Sequence, residues 1–137
     1  MSDETTTAAV DPATLTVGPI TRTDIVRFAG AGGDFNPLHH DEERARAAGF
    51  PGVFAMGQMQ AGMLSRLVTE RFPIAAVRAY RVRFADKVWP GDELTLRWGA
   101  ETSRTDETTG EAVLDIELEA VRQTGDVAVK GRVTVAA

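Results

Sequence analysis

The chain changes its hydrophobic rhythm once, near Pro73. Before that point apolar residues recur at three- and four-residue spacing, the period of a helix face. After it they alternate with polar ones, the period of a half-buried strand. The first part opens with a strand-like run over residues 15–20, ended by Gly18-Pro19. Ile25, Phe28 and Ala29 then share one helical face, which Thr21 or Thr23 can cap and which Gly30 stops. Residues 41–48 predict a short charged helix closed by Gly49. From about Gly57 to Arg71, Met59, Met63 and Leu67 form one stripe with Gln60, Leu64 and Val68 beside it. Little charge precedes Arg66, so this helix is largely buried.

Beyond Pro73, Arg78, Tyr80, Val82 and Phe84 point one way and Val77, Ala79, Arg81 and Arg83 the other. Residues 93–98 and 112–121 alternate in the same manner, and residues 127–135 form the last strand. Polar turns separate them at Pro90-Gly91-Asp92, at 106–110 and at Thr124-Gly125-Asp126. One buried helix followed by four antiparallel strands, with the early strand as a fifth, predicts an α+β fold in which a sheet covers the central helix.

Composition narrows the setting. The 137 residues are 43% hydrophobic and 26% charged, the balance of one globular domain, placed at residues 13–137 behind a polar tail at 1–12. No apolar run reaches membrane-spanning length. The acidic N-terminus lacks the basic-then-apolar pattern of a secretion signal. The absence of cysteine excludes disulfides, a thiolate nucleophile and zinc–sulfur sites. These features predict a cytoplasmic protein. A net charge of −5 argues against a nucleic-acid surface.

Candidate chemistry gathers in residues 30–41. A glycine run precedes Asp34, Asn36-Pro37 sets a turn, and both histidines of the chain, His39 and His40, follow. An imidazole titrates near neutral pH and a carboxylate can orient it or share a water with it, which suits general acid–base work. The same residues also make ordinary turn chemistry, with Asp34 bonding nearby backbone and Asp41 capping the next helix. On residue types alone the two readings stand level. His40 reads as structural. Adjacent histidines lacking the i, i+4 spacing make a poor ligand set, so no metal is expected.

The string Gly33-Asp34-Phe35-Asn36-Pro37-Leu38-His39, the apolar loop ending at Gly57, and Val82-Arg83-Phe84 leading to Val88-Trp89-Pro90-Gly91-Asp92 resemble the MaoC-like (R)-specific enoyl-CoA hydratases and (3R)-hydroxyacyl dehydratases. The resemblance runs from Leu15 to the C-terminus. It implies a hot-dog fold, in which an antiparallel sheet wraps a long helix. It also implies a hydro-lyase that adds water to (2E)-enoyl thioesters, carried on CoA or acyl carrier protein, to give (3R)-hydroxyacyl products. Asp34 and His39 map onto the catalytic pair, Gly57 onto the backbone oxyanion donor, and Asn36 and Ser65 onto supporting positions. Phe54, Met56, Arg83 and Lys87 are the candidate substrate contacts. Met56 stands where the family usually carries histidine, and Asp86-Lys87 replaces an apolar–proline pair. No cofactor is implied.

Related hot-dog proteins set the alternatives. A non-catalytic subunit of a heteromeric dehydratase would not need both Asp34 and His39. A hot-dog thioesterase would place an acid on the central helix, and residues 57–69 hold none. A purely structural acyl-binding module would leave the Asp34–His39 pair unexplained. The resemblance further implies a homodimer, or a heterodimer with a second hot-dog subunit, joined along the strand edge near residues 74–80.

Overall fold

The computed structural model describes residues 14–137; the expected tail at 1–12 lies outside them. Strand β1 (Leu15–Val17) leads to α1 (Arg22–Gly32), a 3-10 turn at Pro37–His39, α2 (Glu42–Ala47) and α3 (Gly57–Arg71). A second 3-10 turn, Ile74–Ala76, precedes β2 (Val77–Phe84), β3 (Leu94–Thr105), β4 (Ala112–Arg122) and β5 (Val127–Ala136). The strands form one antiparallel sheet in the order β1-β3-β4-β5-β2. Long β2 is therefore an edge, with β5 its only neighbour among the described residues. Among the described residues no helix is long and apolar enough to cross a membrane.

Burial explains the arrangement. Met59, Leu64, Leu67 and Val68 of α3 join Leu96, Ile116, Leu118, Val129 and Val133 of the sheet in one core. A buried aliphatic side chain contributes roughly 1.5–3 kcal/mol over its exposed state, so this contact outweighs the weak helix propensity of a segment containing two glycines. A polar pin adds register: the Tyr80 hydroxyl of β2 donates to the Ala61 carbonyl of α3 at 2.7 Å. Burial pushes the Tyr80 hydroxyl up to about 12, so it remains a donor at neutral pH.

Three local expectations change. Helix α1 runs past Gly30 to Gly32 and ends at Gly33, whose φ of 71° is left-handed and whose N–H donates to the Ala29 carbonyl. Glycine takes that conformation without the Cβ clash other residues suffer, so the stop falls directly before Asp34. Strand β2 starts at Val77, not at Ile74, which sits in the 3-10 turn and is 79% exposed. Arg78 does not share the face of Tyr80 and Val82. A bulge opposes Val77 to Val135 but Ala79 to Thr134, leaving Arg78 exposed and paired with Glu111 at 2.8 Å.

Candidate active site

The turn between α1 and α2 is built from its own side chains. Thr21 and Asp24 cap α1 reciprocally. At the other end the Asp34 N–H bonds the Ala29 carbonyl at 3.0 Å, which fixes where the Asp34 side chain emerges. Asp34 Oδ1 accepts the Asn36 N–H at 3.2 Å, and Asn36 Oδ1 accepts the Leu38 N–H at 3.1 Å. Asn36 therefore supports the turn as its N-cap, and Oδ2 of Asp34 is left to face the imidazole.

His39 is 9% exposed. Its Nδ1 lies 2.7 Å from the Phe54 carbonyl oxygen. A carbonyl only accepts, so in the neutral ring Nδ1 carries the proton and Nε2 keeps its lone pair. Nε2 stands 3.8 Å from Asp34 Oδ2. That gap is too long for a direct hydrogen bond and short enough for one water to bond both atoms. Asp34, half-exposed, forms the open side of the pair and His39 the buried side. His40 is exposed, with Nε2 at 3.3 Å from the Phe35 carbonyl, and it precedes Asp41, the N-cap of α2.

The segment before α3 carries the imidazole's anchor. The Phe54 N–H donates to the Leu38 carbonyl at 3.3 Å and the Ala55 N–H to the Val88 carbonyl at 2.8 Å. Three residues beyond Phe54, Gly57 opens α3. Its N–H donates to no acceptor among the described residues, and Met56 supplies no side-chain cap. The buried Gln60 amide, with its nitrogen turned to the backbone, donates to the Met56 and Gly57 carbonyls at 2.6 and 3.2 Å. The helix start is thus tied down while its first N–H stays open, at the positive end of the helix dipole.

The expected substrate contacts divide. Phe54 is at the site, through both its carbonyl and its ring, which meets the His39 ring edge-on at 5.2 Å. Lys87 is beside it, with Nζ 5.0 Å from the Phe50 ring centre and 5.6 Å from that of Phe54. Met56 is 3% exposed and packs in the core, so it presents almost no surface to a ligand. Arg83 faces away: its neighbour Phe84 turns toward α3, and strand side chains alternate. Arg83 instead lines a depression on the outer sheet face with Arg81, Lys130 and Arg132. Ser65, two turns along α3, donates to the Gly62 carbonyl at 2.6 Å and makes no hydrogen bond to Asp34 or His39.

Phe84 and Trp89 join the site without having been singled out as site residues. A Cβ on Gly57 would meet the Phe84 ring at 2.8 Å, and the Trp89 ring meets Phe54 edge-on at 5.7 Å. In the sequence Phe84 stands as the last apolar member of an alternating strand and Trp89 before a turn, and both lie in strings that carry the resemblance, but nothing local assigns either to the site. Among the described residues no three acidic or imidazole groups converge as a metal site.

The family description of the MaoC like domain matches residues 4–127. The chain belongs to the MaoC-like dehydratase family. This MaoC-like domain is 45% identical over 69 residues to 3-hydroxyacyl-thioester dehydratase X of Mycobacterium tuberculosis, covering 50% of the chain and 24% of the relative. It is 37% identical over 71 residues to a mitochondrial 3-hydroxyacyl-[acyl-carrier-protein] dehydratase of Arabidopsis thaliana, covering 52% of the chain and 43% of the relative. It thus spans less than half the length of either. Among solved structures, it superposes on the (R)-hydratase of A. caviae with a TM-score of 0.75, at 23% identity, over 92% of this chain and 95% of that one. That likeness shows the hot-dog fold. HtdX of Mycobacterium tuberculosis superposes with a TM-score of 0.67 at 31% identity, over 90% of this chain and 46% of that one.

Proposed function

We propose that this MaoC-like domain is a hydro-lyase that reversibly hydrates (2E)-enoyl thioesters to (3R)-3-hydroxyacyl thioesters. The observation that carries the reading is the pair itself: a buried imidazole whose Nδ1 is committed to the Phe54 carbonyl and whose Nε2 faces Asp34 across 3.8 Å. His39 Nε2 takes a proton from the water that Asp34 orients, and the water oxygen attacks C3. Negative charge passes to the thioester oxygen, where the Gly57 N–H is the donor. A fixed donor of that kind is worth about 2.7–4 kcal/mol of barrier. The pair returns one proton to C2, so the product gains the elements of one water.

The acyl group is carried on CoA or acyl carrier protein; the names of the curated relatives include both carriers. Arg83 on the outer face is less suited to the acyl end than Phe54 and Lys87 beside the imidazole. A cysteine-free chain fits a reducing compartment, and we place the reaction in the cytoplasm; curated relatives include mitochondrial and peroxisomal enzymes.

The assembly we propose is a homodimer joined at the β2 edge. Its support is the flank of β2 that no described residue pairs, bounded by Ile74 and by Phe84, which is 50% exposed. A heterodimer with a second hot-dog subunit is the second arrangement, favoured by the likeness to the ChsH1–ChsH2 complex of Mycobacterium tuberculosis. In it this chain, holding both Asp34 and His39, is the active member.

The test is hydration of crotonyl-CoA and of longer and bulkier enoyl-CoAs by the purified chain, with chiral analysis of the product. Turnover to the (3R) alcohol is expected. No turnover of any enoyl thioester, alone or with a partner subunit, overturns the reading.

A further inference from the structure

Arg122, at the end of β4, lies 30 residues from Asp92 and 36 from Asp86 in the loop between β2 and β3, yet it holds that loop near both ends. Its Nε donates to Asp92 Oδ2 at 2.8 Å and its Nη2 to Asp92 Oδ1 at 3.4 Å. The remaining nitrogen, Nη1, reaches Asp86 Oδ2 at 3.1 Å. The two carboxylates in turn organise the loop backbone. Asp92 Oδ2 accepts the Trp89 N–H at 2.8 Å, and Asp86 Oδ1 accepts the Lys87 N–H at 2.8 Å. Gln123 completes the junction by donating to Asp92 Oδ1 at 2.7 Å and accepting the Glu93 N–H at 3.0 Å.

The inward side of this loop ends on two adjacent residues, Phe54 and Ala55. The Val88 carbonyl accepts the Ala55 N–H, and the Trp89 ring meets the Phe54 ring edge-on. Lys87 caps the Phe54 ring from another side. Phe54 is thereby held through its ring by Trp89 and Lys87, and through the backbone of Ala55 by Val88. Its carbonyl is the acceptor for His39 Nδ1.

We propose that Arg122 is a positioning residue for His39: by clamping the 86–92 loop it fixes the Phe54 carbonyl, and so fixes the tautomer that leaves Nε2 unprotonated toward Asp34. The proposal rests on His39 serving as the base. The chemistry gives such a clamp a purpose. In the other tautomer Nε2 carries the proton and cannot accept one from water; the Asp34 carboxylate, 3.8 Å from Nε2, is an acceptor on that side, so the Phe54 carbonyl at 2.7 Å from Nδ1 must be held in place to outweigh it. A planar guanidinium bonding two carboxylates in different directions is suited to the task; an ammonium on a flexible stem is not.

The test uses Arg122→Met and Arg122→Lys in the full chain, with ¹⁵N NMR of the imidazoles and steady-state kinetics on crotonyl-CoA. His40→Gln assigns the two ring systems. Wild type is expected to show one unprotonated Nε2 signal for His39. In Arg122→Met that signal shifts toward the average of the two tautomers, and kcat falls by about tenfold to a hundredfold with KM changed little, as for a misplaced catalytic group. Arg122→Lys recovers only part of both. Asp92→Asn, which keeps an acceptor for the Trp89 N–H, serves where Arg122→Met fails to fold, and moves both readouts in the same direction. A folded variant with lowered melting temperature but an unchanged His39 tautomer signal and unchanged kcat overturns the proposal, leaving Arg122 a structural staple. The NMR arm needs no substrate, so a wild-type chain inactive on enoyl thioesters refutes the hydratase reading without touching the tautomer result.

Discussion

Phe84 lies against Gly57 so closely that a Cβ on the glycine would stand 2.8 Å from two atoms of the ring. The last residue of the edge strand therefore covers the first residue of the central helix, and only glycine leaves room for both. Gly57→Ala is expected to push the ring aside and lower kcat/KM by ~10-fold or more, the scale of a misplaced reacting group. The steric account has a consequence of its own. Adding Phe84→Ala should restore part of the loss, giving a clear coupling in a double-mutant cycle. Additive losses would show that the glycine is needed for another reason.

Removing either member of the Asp34–His39 pair should abolish most turnover. Asp34→Asn and His39→Ala are each expected to lower kcat by ~10²–10⁴, the range for a general acid or base. Their effects on folding should differ. Asp34 is half-exposed, so its variant should melt close to wild type. Loss of the buried imidazole and its bond to Phe54 should cost about 1 kcal/mol. Near-full hydration by both variants would remove the pair from the chemistry.

Asp92 makes stability depend on pH in the acid range. Burial pushes its carboxyl upward, but bonds from Arg122, the Trp89 N–H and Gln123, with the Arg122 charge, outweigh that and hold it below the usual 3.8. The unfolded chain therefore binds this proton first as pH falls. The stabilisation from Asp92 is fully present above 3.8 and is lost as pH drops from there through the lower folded-state value. Urea melts from pH 6 to pH 2 should show a steeper acid loss in wild type than in Asp92→Asn. Equal slopes would mean that the ion pair contributes nothing.

The flank of β2 that no described residue pairs predicts a dimer that buries on the order of 2,000 Å² or more. Sedimentation at micromolar concentration should find two copies, and Ile74→Asp should weaken their association, since Ile74 is the most exposed large apolar residue of that flank. An active monomer would refute both the interface and any acyl path shared between copies.

Much of this molecule was written in local pattern. The helical spacing of Met59, Met63 and Leu67, with Leu64 and Val68 beside them, followed by alternation in β2 to β5, called for a sheet over a buried helix, because each element has one face that must leave water. The Asp34-to-His39 string placed two chemical groups on one turn, where five residues of separation keep them close whatever surrounds them. Tertiary structure decided what those groups face. Nothing near His39 in sequence states that its Nδ1 meets the carbonyl of Phe54, fifteen residues on, and a backbone acceptor leaves no mark in residue type. The bulge that turned Arg78 outward and the burial of Met56 were likewise set by partners elsewhere in the chain. Residue types determined which chemistry was available. Long-range hydrogen bonds and packing, from strands whose registers are fixed only when the whole sheet forms, decided which atoms can perform it.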